Sequence, residues 1–555
     1  MSSTLETMKT PLSEGSNPFT YYFFIILTTY LAWRLWRFTI VPKVWKDEPL
    51  LLPYWLPFIG EISSVGSHQP HPDHSSFSVA GHTYAFMRNP ETLINYGYKY
   101  FGTDEPFALT VSGRRTIVLR DIQDVAAMWR NTQDLSFDPF IKAVLETFGI
   151  SNTSLTKIVA NPRDLIDKEV YDKSLLIKKN PQNKNYMNIE RDWFKEQLLA
   201  PEALRRIENK YSRYLSDSLT WDKLSLTYIL SSSSATTDSK AISLELFCRY
   251  TLLSCNTRTF FGPQLERIAP SFLKNYQDFE EESWKIFYRF PVWLAQRPHR
   301  AKDRAMQQLA KFLSAPREEH ADLEWIFGTM SRELQYLHVP HRDIAGIIMI
   351  LIWAMSNNAH KIAFWILAHL LHNPSYLDAV RKETDAAFAT PETKPDMTVL
   401  LNDCPHLDAI WYEVLRVYNA SSAIREAIAP CELAGKSVRV GDQLVAPFRQ
   451  YHMNQSIFGA DAPNFQPERF LENKLLPRTK GYAPFGGGHT YCPGRLFAQR
   501  EIYLFVAEVL WRYTLTLGPR AGGTRMPQVD LSTPSVAAMG PDEDVVVLIS
   551  QRNGK

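Results

Sequence analysis

The sequence predicts a mostly α-helical protein with small β-sheets, and three observations lead there. The longest helical signal begins after Pro340 and ends at Asn373-Pro374; at 1.5 Å per residue it spans roughly 48 Å, enough to cross a whole domain. Further helical stretches lie at residues 122–130, 407–418 and 495–502. Strand signal is clearest over residues 107–119, where apolar positions alternate around Gly113-Arg114-Arg115 and read as a hairpin.

The first half of the long helix, residues 344–355, is apolar on all sides, which marks a buried central helix. As a membrane span the apolar run is too short, and Ser356-Asn357-Asn358-Ala359-His360-Lys361 follow it without a break. His360 and Lys361 read as surface or helix-end residues.

One other stretch suits a membrane: residues 19–36, FTYYFFIILTTYLAWRLW. Arg34 can snorkel, and Tyr21, Tyr22, Trp33 and Trp36 suit the interfacial belts. Only Lys9 precedes the segment, beside Glu6 and Glu14, and no small-x-small cleavage site follows, which argues against a removed signal peptide. Arg34, Arg37, Lys43 and Lys46 come at its end, so the positive-inside rule leaves the body cytosolic. The expected organisation is a lumenal N-terminus (1–18), a single-pass anchor in the endoplasmic reticulum membrane (19–38), a proline-rich hinge (39–60) and one large domain (61–555). The sequons at Asn152, Asn419 and Asn454 then never meet the glycosylation machinery. Residues 231–240 (SSSSATTDSK) read as a flexible surface loop.

With 45% hydrophobic and 22% charged residues the chain can build a large core, and its net charge of +2 gives no sign of a nucleic-acid partner. Cys248, Cys255, Cys404, Cys431 and Cys492 are odd in number and irregularly spaced. They favour neither a zinc site nor a disulfide framework, and suit a reducing compartment.

The most informative segment is Phe485-Gly486-Gly487-Gly488-His489-Thr490-Tyr491-Cys492-Pro493-Gly494-Arg495. Pro493 suits a first helical turn, so the loop delivers Cys492 to a helix start. Unpaired N–H groups and the positive end of the helix dipole favour a thiolate there. Three glycines let the backbone lie flat against a large planar object without Cβ clashes. A thiolate facing a flat surface is what axial ligation of a haem iron requires.

The pattern Phe-x-x-Gly-x-x-x-Cys-x-Gly, met here by Phe485, Gly488, Cys492 and Gly494, resembles the haem-binding loop of the cytochrome P450 superfamily, the haem-thiolate monooxygenases. The resemblance implies the cytochrome P450 fold from about residue 61 onward, with Cys492 as axial ligand of haem b (iron protoporphyrin IX). It also implies a cofactor-binding role for Phe485 and Gly488. Glu413-x-x-Arg416 lies in a helical stretch with both charges on one face, and Phe465-Gln466-Pro467-Glu468-Arg469-Phe470 supplies another arginine downstream. In the superfamily such a glutamate and two arginines form a buried network, so Glu413, Arg416 and Arg469 are expected to hold the haem-side core together. Arg425 follows Glu413 by twelve positions, as in the cholesterol 7α-hydroxylase-like and prostacyclin synthase-like branch. There the arginine reaches a haem propionate, a role that a guanidinium fork suits.

Three departures stand against that pattern. Thr490 occupies the position where most members have a base contacting a propionate. Trp193 is present on an early helix, yet Gln197 stands where an arginine is usual, so anchoring leans on Arg425 and Lys195. On the central helix Ala354-Met355-Ser356-Asn357-Asn358-Ala359 places Asn357 for the usual acid and Asn358 for the usual alcohol. Amides do not shuttle protons as carboxylates do, but they can order a water chain that does. Asn357 and Asn358 are therefore the expected catalytic residues.

The resemblance implies oxidation of a lipophilic small molecule, a terpenoid, sterol-like or other secondary metabolite, with O2 and with NADPH-derived electrons from a membrane-bound NADPH–cytochrome P450 reductase. The chain resembles fungal secondary-metabolism members as well as the cholesterol 7α-hydroxylase-like and prostacyclin synthase-like branch. Two alternatives stay open on sequence alone: a reductase-independent haem-thiolate isomerase or dehydratase acting on a peroxide, and a non-enzymatic haem- or lipid-binding protein.

Overall fold

A computed structural model describes residues 18–54, 81–230, 239–389, 394–518, 525–534 and 537–552. The segment expected to be lumenal, apart from residue 18, residues 55–60 of the hinge, and 231–238 of the low-complexity stretch lie outside these. Helix α1 (Pro18–Leu35) continues through a π-helical turn at Trp36–Ile40 into Val41–Val44. The run Phe19–Val44 is long and apolar enough to cross a membrane and is not buried against the rest of the protein. Phe19, Tyr22, Ile26, Leu31 and Leu35 all present their side chains outward. The helical run extends six residues beyond the expected boundary at 38.

Short strands then build the sheets: β1 (Leu50–Leu51), β2 (Phe107–Val111) and β3 (Arg114–Val118). The expected hairpin is β2–β3, antiparallel with Phe107 opposite Val118. Helix α2 (Ile122–Arg130) follows, capped by the Asp121 carboxylate, which accepts from the Gln123 N–H. β4 (Leu135–Ser136) and helix α3 (Asp138–Thr147) come next, then helix α4 (Tyr186–Leu199). Ser239 and Lys240, expected in a flexible loop, instead belong to β5 (Ser239–Ser243), paired to a strand near the end of the chain. Long-range pairing, invisible in a Ser-rich composition, decides their state.

The helical body contains α5 (Leu244–Phe261), α6 (Phe272–Glu280), α7 (His341–Ser356), α8 (Ala359–His372) and α9 (Pro405–Val417). The long central signal is thus two helices, with the break at Asn357-Asn358. Ile344, Ile348, Met349 and Ile352 of α7 are buried, as the all-round apolar pattern required. Helix α8 packs on α5 and α9. Its Trp365 stacks on Tyr418 at 3.8 Å and donates to the Met539 carbonyl at 2.8 Å. β6 (Ser422–Ala427), β7 (Cys431–Leu433), β8 (Lys436–Val438) and β9 (Gln443–Pro447) precede helix α10 (Arg495–Arg512), and β10 (Tyr513–Leu517) and β11 (Val546–Gln551) follow it. The main sheet runs β1-β2-β3-β9-β6-β4; β10-β11-β5 and β7-β8 form two smaller ones.

Glu413, Arg416 and Arg469 meet as expected. Glu413 and Arg416 are both 0% exposed. Arg416 Nε donates to Glu413 Oε2 at 2.7 Å and its Nη2 to Oε1 at 2.6 Å; Arg469 Nε reaches Oε1 at 3.2 Å. The Gln466 N–H adds a further bond to Oε1 at 2.7 Å. A carboxylate so saturated tolerates burial, but losing one partner strands the rest at a cost of about 3–5 kcal/mol. Glu413→Ala and Arg416→Ala are therefore expected to yield little folded protein and a lowered thermal midpoint. Wild-type stability in Glu413→Ala would mark the pair as dispensable.

Candidate functional site

The loop bearing Cys492 is closed by its own backbone. The Cys492 N–H donates to the Phe485 carbonyl at 3.1 Å, and Arg495 Nη1 donates to the Cys492 carbonyl at 2.8 Å. Gly494 caps α10, so Pro493 stands just before the helix rather than in its first turn. The glycines have a local explanation that the loop's own sequence did not reveal. A Cβ on Gly487 would lie 2.5 Å from indole carbons of Trp129 on α2, and one on Gly488 would lie 2.9 Å from Trp129 Cβ. Gly488 also has a φ of +62°. The flat object met by these glycines is therefore an indole of the same chain. Phe485 sits beside Trp411 of α9, with ring centroids 6.3 Å apart.

Burial pushes the Cys492 thiol up, while the Gly494 N–H and the charge and N–H of Arg495 pull it down. The donors expected at a helix start are present, yet desolvation outweighs them. A thiolate at this depth needs a cation against the sulfur.

Arg425 on β6 is 1% exposed. Its Nη2 donates to Thr490 Oγ1 at 2.8 Å and its Nη1 to the Ile424 carbonyl at 2.7 Å; its buried Nε has no partner. No carboxylate lies within ion-pair distance of it among the described residues. Burial, followed by repulsion from Arg191, lowers its pKa to about 10. His489 is exposed, and burial with the nearby Arg425 and Arg191 charges lowers its pKa, which favours the neutral ring. Trp193 is buried. Gln197 Oε1 accepts from the Ile326 N–H at 3.2 Å, while Lys195 pairs with Asp192 at 3.5 Å and is 47% exposed. Neither residue replaces the missing arginine by its present contacts.

At the break in the central helix Asn357 is buried, and its Oδ1 accepts from Lys361 Nζ at 3.1 Å. Its Nδ2 has no partner. Asn358 Oδ1 accepts from the Ala538 N–H at 3.0 Å. The reading of His360 and Lys361 as surface residues is corrected here. His360 is 3% exposed and faces Glu280 of α6 at 3.6 Å. Burial lowers the Lys361 amine to about 8, with Glu280 opposing that shift. An acid contributed by a different helix made this polar cluster, and nothing in the local sequence pointed to it.

These residues fit a haem. They offer one axial sulfur, a buried guanidinium without an acid, and a second orphaned donor in the Trp129 indole N–H beside the loop. An isolated buried cation costs several kcal/mol, so a bound carboxylate is the natural complement to Arg425. Among the described residues no cluster of three or more His, Cys, Asp or Glu side chains could hold a metal directly. Iron held here would rest on the single sulfur.

Comparison with known proteins identifies the family. The cytochrome P450 monooxygenase poxD of Penicillium oxalicum is 23% identical over 88% of this chain and 91% of the relative. Prostacyclin synthase of Rattus norvegicus is 32% identical over 39% of this chain and 47% of the relative. Cholesterol 7-alpha-monooxygenase of Cricetulus griseus is 24% identical over 54% and 64%. The family model for cytochrome P450 matches residues 230–538 of the 555. With this match, a mostly helical fold and one cysteine presented at a helix start, the chain belongs to the cytochrome P450 family and is a haem-thiolate monooxygenase.

Proposed function

We propose that the protein oxidises a lipophilic small molecule, a terpenoid, sterol-like or comparable secondary metabolite. Electrons would come from NADPH through a membrane-bound NADPH–cytochrome P450 reductase. The observation that carries the reading is the sulfur of Cys492 on a loop whose Thr490 takes a hydrogen bond from a buried guanidinium that has no acid of its own. The apolar face of α7 and the exposed apolar α1 support a lipophilic substrate met at a membrane, as do relatives named for cholesterol and prostacyclin. Bound through Cys492, haem b would supply activation of O2, one oxygen atom entering the substrate and the other leaving as water.

The chain's own residues have separate tasks. Cys492 would hold the haem iron, and Arg425 would pair with a haem carboxylate. Asn357 Nδ2 can hold a water. Lys361 Nζ, 3.1 Å from Asn357 Oδ1, can hold a proton near neutral pH and pass it toward that water. Glu280, Arg249 and Glu245 set its field, Glu280 and Glu245 favouring the charged amine and Arg249 opposing it.

If Cys492 is the ligand, the reduced carbon monoxide complex should absorb at about 450 nm, and Cys492→Ser should lose that band. Persistence of the band in the mutant, or its loss only with Cys404 or Cys431, would overturn the assignment.

If the two asparagines order the proton-bearing water, Asn358→Ala should lower product per NADPH and raise hydrogen peroxide release, since positioned proton transfer is worth about 10²–10⁴-fold. Lys361 carries its proton below a pKa of about 8 and loses it above. Coupling should therefore fall as pH rises through that value in wild type and lose this step in Lys361→Met. Turnover of a peroxide without NADPH would instead select the isomerase chemistry, and unchanged coupling in Asn358→Ala would leave both amides as core residues.

The charge step after α1 supports a single pass in the endoplasmic reticulum membrane with a cytosolic body. Protease added to intact microsomes should digest the body. Asn152 and Asn454 are exposed, whereas Asn419 is buried with its Nδ2 on the Pro484 carbonyl at 2.6 Å. Glycan on Asn152 or Asn454 would reverse the orientation.

A further inference from the structure

Two guanidiniums converge on one ring beside the loop that carries Cys492. The Arg191 guanidinium, on α4, lies 5.9 Å from the centroid of Phe137, and that of Arg425, on β6, lies 5.6 Å from the same centroid. Arg191 Nη2 donates to Asp138 Oδ1 at 2.5 Å and its Nη1 to Asn188 Oδ1 at 3.2 Å. Arg425 donates to Thr490 Oγ1 and to its neighbour's carbonyl, and its Nε is buried without a partner. Among the described residues Asp138 is thus the one carboxylate that pairs with either guanidinium, which leaves a positive charge in surplus. Lys195, paired with Asp192, adds to the positive field at His489. Among the described residues no carboxylate pairs with Arg425, and an incoming anion would offset the cost of holding its charge out of water.

We infer that Arg191 and Arg425 form a two-guanidinium clamp for the carboxylate side chains of the haem, with Asp138 holding Arg191 beside Phe137 and Thr490 holding Arg425. The inference rests on the haem reading of Cys492 and identifies what replaces the contacts that the sequence lacks. Thr490 stands where a base is usual, and its hydroxyl takes the Arg425 hydrogen bond, so it acts as a positioning residue. Gln197 stands where an arginine is usual and is committed to the Ile326 N–H. Arg191, two residues before Trp193 on the same helix, brings the second charge from a different face of α4.

The test compares full-length protein loaded with iron protoporphyrin IX against the same chain loaded with its dimethyl ester, in which both carboxylates are uncharged. Transfer of each haem to apomyoglobin is followed by the Soret change. Wild type should lose the ester at least about tenfold faster than the free acid, the weight of one charge-assisted hydrogen bond. Equal rates would overturn the clamp without any variant having to fold. Arg191→Gln and Arg425→Gln should each speed loss of the free acid about tenfold and leave loss of the ester unchanged. Arg191→Lys, which keeps the charge, should lie between wild type and Arg191→Gln. Thr490→Val should speed loss of the free acid alone, and Thr490→Ser should restore it. Acceleration of both haems to the same degree would make these residues structural braces and overturn the proposal. An intact thiolate band on the Cys492 protein throughout separates failure of the clamp from failure of the haem assignment.

Discussion

The carboxylate of Glu413 is the point from which the haem-side half of the molecule hangs. A charge at that depth is tolerable only when every lone pair is taken. Its donors come from α9, from Arg469 and from the Gln466 backbone, so saturation occurs only when the irregular chain before the cysteine loop folds back onto α9. Arg416 spends its remaining N–H groups on the carbonyls of His452, Ala462 and Asn464, fixing that chain along its length. His452, whose pKa burial and then the Arg416 charge lower to about 3, stays neutral and accepts from the Ala483 N–H at 3.1 Å. Tyr482 donates to the Tyr412 carbonyl, and Asn419 to that of Pro484. The cysteine loop begins at the next residue. The ion-pair network therefore positions a loop that it never touches.

Desolvation also sets the chemistry of that loop. It raises the Cys492 thiol and lowers the Arg425 guanidinium, disfavouring the charged form of each. One ligand that brings a metal cation to the sulfur and carboxylates to the guanidinium relieves both at once. The site is thus strained electrostatically in complementary senses at its two ends, and Thr490, two residues from Cys492, ties those ends together through its bond to Arg425.

Much of this was legible in the sequence because it is local. The α2 boundaries, the β2–β3 hairpin, the apolar α1 and the i,i+3 pairing of Glu413 with Arg416 follow from periodicity and spacing. What escaped depends on partners distant in the chain. The reason for Gly487 and Gly488 is an indole more than 350 residues upstream on α2. His360 and Lys361 look like a solvated helix end until Glu280 arrives from α6. Nothing local marks Arg191, and only the approach of β6 places it beside the same ring as Arg425. The break at Asn357-Asn358, two poor helix formers in succession, interrupts what reads in sequence as one long helix, and its stabilisation comes from the Ala538 N–H and the Lys361 amine.

That a single buried sulfur holds an iron is most directly tested by iron K-edge X-ray absorption on the purified full-length protein. One sulfur scatterer in the first coordination shell, beside the four porphyrin nitrogens, is the expected result. A shell of nitrogen and oxygen alone would contradict Cys492 as ligand and, with it, the reading of the loop, the clamp and the proton path.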